Sequence, residues 1–238
     1  MDTRILTRKD GTLVIERFSP LRRTEHVAAI GTFVLLVLTG FPQKFYDAGW
    51  AVWLLSALGG LDHARWLHRL AGFLFAGHAL LHLTAAFFGL LTRRMRPSLL
   101  PAPQDLRDVV ANLGWYLGYR KDAPVYGKFD YRQKFEYLGL VLGGLVMIGS
   151  GLALIYPGFV ATHLPGQVIA AARMAHSNEA MLALLVLVIW HIYGAVFSPE
   201  VFPFDRSMWS GVLTAEELHE RHALEYDRLF APGGPKPH

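Results

Sequence analysis

Four long apolar segments, at about 27–41, 66–91, 135–155 and 176–197, restrict this chain more than any other feature it carries. A hydrocarbon core of about 30 Å is crossed by roughly 17–25 helical residues at a rise of about 1.5 Å each, and these segments have that length. Their ends are punctuated. Gly40 and Pro42 close the first, Arg93, Arg94 and Arg96 follow the second, Pro157 stops the third and Pro199 the fourth. The predicted spans are about 26–42, 66–92, 134–156 and 176–197, in one domain of residues 1–230 with a flexible tail at 231–238. A content of 53% hydrophobic residues and a mean hydropathy of +0.29 are too apolar for an ordinary soluble fold. The expectation is an all-α integral membrane protein, a bundle of four transmembrane helices.

Basic residues orient the bundle. Lys and Arg number six before the first span, two between the first and second, nine between the second and third with Lys134 included, one before the fourth and four after it. The positive-inside rule then makes both termini and the 93–134 loop cytoplasmic. The pI of about 9.4 is mostly this asymmetry and does not point to nucleic acid. From Met1 to Glu25 no apolar run follows a basic start, so no cleaved signal peptide is expected. The 50–61 stretch, with Trp50 and Trp53, is too short to span and is expected on the outer surface. Thr214-x-x-Glu217 is a capping box predicted to open an amphipathic cytoplasmic helix reaching Leu229.

Cysteine is absent, which removes disulfides, iron–sulfur ligation and covalent haem attachment. Histidine, with eleven residues, is the donor that remains. His68 and His82 share the second span, His176 and His191 the fourth, at offsets of 14 and 15 residues. At about 100° and 1.5 Å per residue each pair lies near one helix face, about 21–23 Å apart along it. Two facing helices so equipped could hold two haems, one near each edge of the bilayer. His26 joins the inner group from the first span, and His78, one turn from His82, joins it less closely. Two axial imidazoles fill haem iron and suit it to passing single electrons. His63, His163, His219, His222 and His238 fall in loops and tail and read as solvated or interfacial. Glycines near the candidate ligands, including Gly31, Gly72, Gly77, Gly139, Gly143, Gly144, Gly149 and Gly151, fit close approach of a flat ring and fit small-residue helix packing equally.

Arg17-Phe18-Ser19, Arg23-x-x-His26, Thr39-Gly40, Trp66-Leu67-His68, Gly127-Lys128-Phe129-Asp130-x-x-Gln133-Lys134, His176, His191-Ile192-Tyr193 and the 222–228 tail occur in an order and spacing that is specific when taken together. The chain resembles the membrane cytochrome b, or gamma, subunits of respiratory formate dehydrogenases and the b cytochromes of nickel–iron hydrogenases, over about residues 17–230. The resemblance implies haem b held by His26 with His191 on the cytoplasmic side and by His68 with His176 on the outer side. His82 departs from that pattern. The 14- and 15-residue offsets are similar instead to the quinol-oxidising cytochrome b of bc-type complexes, so His82 is an alternative partner for His191, a third-haem ligand or a quinone-site residue. The cofactor expectation is two haems b, with a third left open.

The implied function is a haem b anchor that moves electrons between an extrinsic partner and the quinone pool. The partner is an iron–sulfur subunit with a catalytic dehydrogenase subunit, or a multihaem cytochrome c if flow runs outward. His78, His82, Lys134 and Glu136 are the candidates for a quinone site. Rival readings are a stand-alone superoxide- or ferric-reducing cytochrome b and a haem-free transporter that relays protons through histidines. Whether the chain is itself an enzyme is left open by its residues, and the substrate of any partner lies on other chains.

Overall fold

The computed structural model describes residues 4–231. Four helices are long and apolar enough to cross a membrane: α1 (Pro20–Lys44), α3 (Leu61–Leu91), α5 (Tyr131–Ile155), and α7 (Gln167–Leu185), which continues through π-helical turns at Val186–His191 and Tyr193–Phe197. Between them lie α2 (Gly49–Ala57), α4 (Pro103–Tyr116) and α6 (Pro157–His163). At most 6% of each apolar window is buried within the protein, so these side chains face outward, as lipid-exposed helices must.

The helices begin earlier than hydropathy indicates. α3 starts at Leu61 and the fourth span at Gln167, because polar residues such as Asp62, His63 and Arg65 extend a helix beyond its apolar part at no cost in helix propensity large enough to stop it. With 31 residues, about 46 Å, α3 exceeds the hydrocarbon thickness. His68 and His176 therefore sit two turns or more inside their helices. The start of α1 is set by Ser19, whose Oγ accepts from Arg22 N at 3.4 Å, with Pro20 as the first helical residue. Asp130 and Gln133 start α5 by a reciprocal cap: Gln133 N donates to Asp130 Oδ1 at 2.8 Å and Asp130 N to Gln133 Oε1 at 3.2 Å. The quoted motif at 127–134 is thus in part a helix start.

The chain divides into two compact units: residues 24–85 with 140–190, and residues 1–23, 86–139 and 191–238. Each long helix contributes to both. The second unit holds a small antiparallel sheet that apolar patterning does not reveal. In it β1 (Ile5–Thr7), β2 (Leu13–Glu16) and β3 (Val212–Thr214) lie in that order, with Ile5 opposite Ile15 and Ile15 opposite Leu213. Ile5, Ile15, Leu213, Leu218 and Leu229 form its core, each at most 3% exposed. The 3- and 4-residue strands are too short for alternation to show in sequence.

After α8 (Ser207–Ser210), the predicted capping box is present in hydrogen bonds. Glu217 N donates to Thr214 Oγ1 at 3.1 Å and Thr214 N to Glu217 Oε2 at 2.8 Å. The segment it opens is two helices, α9 (Ala215–Arg221) and α10 (Ala223–Phe230), broken at His222. The reading of His222 as solvated is corrected: it is 5% exposed, its ring Nδ1 donates to the Gly127 carbonyl at 2.8 Å, and burial pushes its pKa down to about 3. At the break the His222 backbone leaves the helical region, at φ −140° and ψ 51°. His238 lies outside the described residues.

Candidate cofactor site

In the unit of residues 24–85 and 140–190, α1 and α5 each present a hydroxyl–glycine dipeptide to a histidine of another helix. Thr39-Gly40 of α1 meets His68 of α3, and Ser150-Gly151 of α5 meets His176 of α7. Thr39 Oγ1 lies 3.0 Å from His68 Nδ1 and Ser150 Oγ 2.9 Å from His176 Nδ1. Both hydroxyls also lie 2.6 Å from a carbonyl one turn back in their own helix, Leu35 and Val146 respectively. A hydroxyl has one proton. Donated to the carbonyl, it leaves the oxygen to accept from the ring, so Nδ1 carries hydrogen and Nε2 keeps its lone pair in both histidines. The same tautomer is therefore set twice by the same device.

The glycines complete the cradle. A Cβ on Gly40 would stand 2.8 Å from His68 Cε1, which requires the ring to shift, and one on Gly151 3.3 Å from His176 Cε1, a tight contact, so both helices approach the rings closely. Of the glycines singled out from the sequence, Gly151 is the one that stands against a histidine ring, and Gly40 does the same on α1. Gly31, Gly72, Gly77, Gly139 and Gly149 meet nothing within 4 Å at the Cβ position. Gly143 makes room for the carboxylate of Glu179, one turn beyond His176 in α7. Glu179 was not among the sequence candidates, although a lone acid inside an apolar span is itself a signal.

The two imidazoles stand with ring centroids 6.2 Å apart and planes at 77°. A metal ion ligated from opposite sides by imidazoles at about 2.0–2.1 Å separates the ring centres by roughly 6 Å. Spacing and tautomer both fit a haem iron with two axial histidines. Among the described residues no three or more His, Cys, Asp or Glu side chains gather as a metal site, and a haem needs only two donors from the protein.

The remaining candidates are distributed over both units. In the first, His82 Nδ1 of α3 lies 3.3 Å from Glu25 Oε2 of α1, His26 follows directly in α1, and His78 is half-buried on α3. In the second, His191 occupies the π-helical turn, with Nδ1 3.2 Å from Glu136 Oε2 of α5, while Lys134 is paired to Asp105 at 2.7 Å. Glu25 and Asp105 were not anticipated. Glu25 adjoins His26 in sequence, but the 57 residues to His82 gave no sign of the pairing. A π turn advances by a different angle per residue from an α turn, so the ideal-helix angle between His176 and His191 does not hold.

Outside the spans the site-bearing motifs assemble a charged centre. The Arg17 guanidinium is 5.3 Å from the Phe18 ring centre and 5.4 Å from that of Phe129, and is 6% exposed. Burial lowers its pKa to about 10, against which the charges of Asp205, Asp130 and Glu225 act to raise it, so it stays protonated at neutral pH. Arg17 N and Phe18 N both donate to the Gly211 carbonyl, at 2.9 and 3.1 Å. Arg17, Phe18, Phe129 and Asp130 are thus joined in folding.

Four apolar crossing helices and two opposed imidazoles with their Nε2 lone pairs free match the donor arrangement of a membrane b-type cytochrome. The chain belongs to the prokaryotic cytochrome b561 family, whose model matches residues 17–211. A comparison with curated proteins found no match. The protein is a multi-pass bacterial inner-membrane protein of a family of haem b electron carriers, consistent with a b-type cytochrome of the hydrogenase and formate dehydrogenase type.

Proposed function

We propose that the protein is the haem b anchor of a respiratory oxidoreductase complex, carrying electrons between an extrinsic redox subunit and the quinone pool. The single observation behind this reading is the His68–His176 pair, held 6.2 Å apart in one tautomer by Thr39 and Ser150. A haem held by two histidines of this chain would supply single-electron exchange. His68 and His176 would hold one such haem; the resemblance assigns His191 to a second, with His26 or His82 opposite. Thr39 and Ser150 would keep each Nδ1 protonated, and Gly40 and Gly151 leave room for the rings beside α1 and α5.

The basic residues favour cytoplasmic termini by the positive-inside rule, and with that orientation the His68–His176 pair would lie near the outer face. An iron–sulfur subunit of formate dehydrogenase or hydrogenase type would exchange electrons there. Quinone would react toward the opposite edge, where Glu136, held by His191, and His82, held by Glu25, are the candidate proton-handling groups. Lys134 is already committed to Asp105 and serves better to fix α5 than to move protons.

The test is haem quantified per chain with a reduced-minus-oxidised spectrum, on the purified protein and its His68→Ala and His176→Ala variants. Each variant should lose one and the same haem while the b-type absorption of the other persists. A colourless wild-type protein, or folded variants with undiminished haem, would refute the assignment.

A further inference from the structure

Helix α4 is inside out. Its polar face is the packed one: Asn112 is 4% exposed and donates from Nδ2 to the Tyr131 hydroxyl at 2.9 Å, and Asp105 is paired to Lys134 at 2.7 Å. Leu106, Val110, Leu113 and Leu117, at helical spacing on the other side, are 74%, 71%, 56% and 60% exposed. In water the burial order is the reverse, because an amphipathic helix hides its apolar stripe and solvates its polar one. The surroundings of α4 must therefore be apolar on that side.

We infer that α4 lies in the bilayer interface, with its Leu106–Val110–Leu113 stripe in the boundary between headgroups and acyl chains and its flanking basic residues on anionic headgroups. Three observations favour lipid over a protein partner. Tyr131 and Lys134, which hold α4, are in the first turn of a membrane-crossing helix, so α4 is fixed at the level where α5 leaves the apolar layer. The 93–121 segment carries six Lys and Arg against two Asp, with Arg93, Arg94 and Arg96 directly after the end of α3. That charge complements an anionic leaflet. Trp115 and Tyr116 close the helix and Tyr119 follows its cap, the aromatic types that gather at headgroup depth. The combination of basic flanks, an apolar stripe and aromatic ends is that of an in-plane helix, which binds by buried area together with attraction to anionic lipid.

The native chain contains no cysteine, so a single introduced thiol labels one site. Val110→Cys, Leu106→Cys and, as an aqueous reference in α9, Glu220→Cys would each carry a nitroxide in the full-length protein, purified with any bound subunits and placed in nanodiscs containing phosphatidylglycerol. Collisions with oxygen relative to a water-soluble nickel chelate should be several-fold more frequent at residues 106 and 110 than at 220. Chelate access at 110 equal to that at 220 would show an aqueous face and overturn the inference. Protection of 110 from both reagents would show a protein covering it and overturn it equally. Unchanged circular dichroism and detergent elution volume qualify each variant for the measurement.

Discussion

The His68–His176 site and the centre around Arg17 solve the burial of polar groups in opposite ways. At the first, the rings are held by uncharged hydroxyls, each satisfied in turn by a carbonyl of its own helix, and by glycines that remove bulk. At the second, a guanidinium 6% exposed lies near Asp205, Asp130 and Glu225 and against two aromatic rings. A ligand that must offer a lone pair to a metal is best fixed by a neutral donor–acceptor chain, which sets the tautomer without adding charge. A centre that only has to join strand, loop and helix can use ion pairs, and then depends on every member.

Removing one member is therefore expected to act most strongly at the charged centre. Arg17→Ala empties a buried position beside Phe18 and Phe129 and removes the charge that Asp205, Asp130 and Glu225 favour, and should cost about 2–3 kcal/mol, measured as lost hydrogen-exchange protection in β1, β2, α9 and α10. Equal protection in variant and wild type would show that Arg17 does not hold these elements together. At the histidine pair, bulk should matter by degree. Gly40→Ala places a Cβ 2.8 Å from the His68 ring, against 3.3 Å from His176 for Gly151→Ala, so haem retention should fall further in the first variant than in the second. The reverse ranking would contradict the cradle.

Smaller effects test the hydroxyls and the buried imidazole of the tail. Thr39→Val and Ser150→Ala each remove one Nδ1 acceptor, worth on the order of 1 kcal/mol, or tens of millivolts in the midpoint potential of that haem. Thr39→Ser should restore the wild-type value, whereas a purely steric role would leave the potential unmoved in all three. For His222, folding lowers the pKa from 6.5 to about 3, so between those values the unfolded chain binds more protons and stability falls with falling pH. The loss from pH 8 to pH 6 is about 0.8 kcal/mol. It should vanish in a His222→Gln variant, as read from hydrogen exchange in α9 and α10.

What residue order alone determined follows from local physics. Lipid admits only helices or closed barrels, so four apolar segments of the right length already implied four helices, and histidines recurring within two of them already singled out two rings that the fold brings together. His68 and His176 were found in this way, and so was the capping box at Thr214. Tertiary structure alone decided what depends on distant partners. Thr39 and Ser150 are ordinary small polar residues until another helix brings a ring to them. The three short strands have no periodicity of their own and form by pairing. The π turn at His191 changes an angle that ideal helix geometry assumes, and His222 reads as a surface residue until the Gly127 carbonyl meets it. Helix α4, within a stretch read from sequence only as a loop, has its orientation decided by Tyr131 and Lys134, which turn its polar face inward because a buried amide and carboxylate need partners.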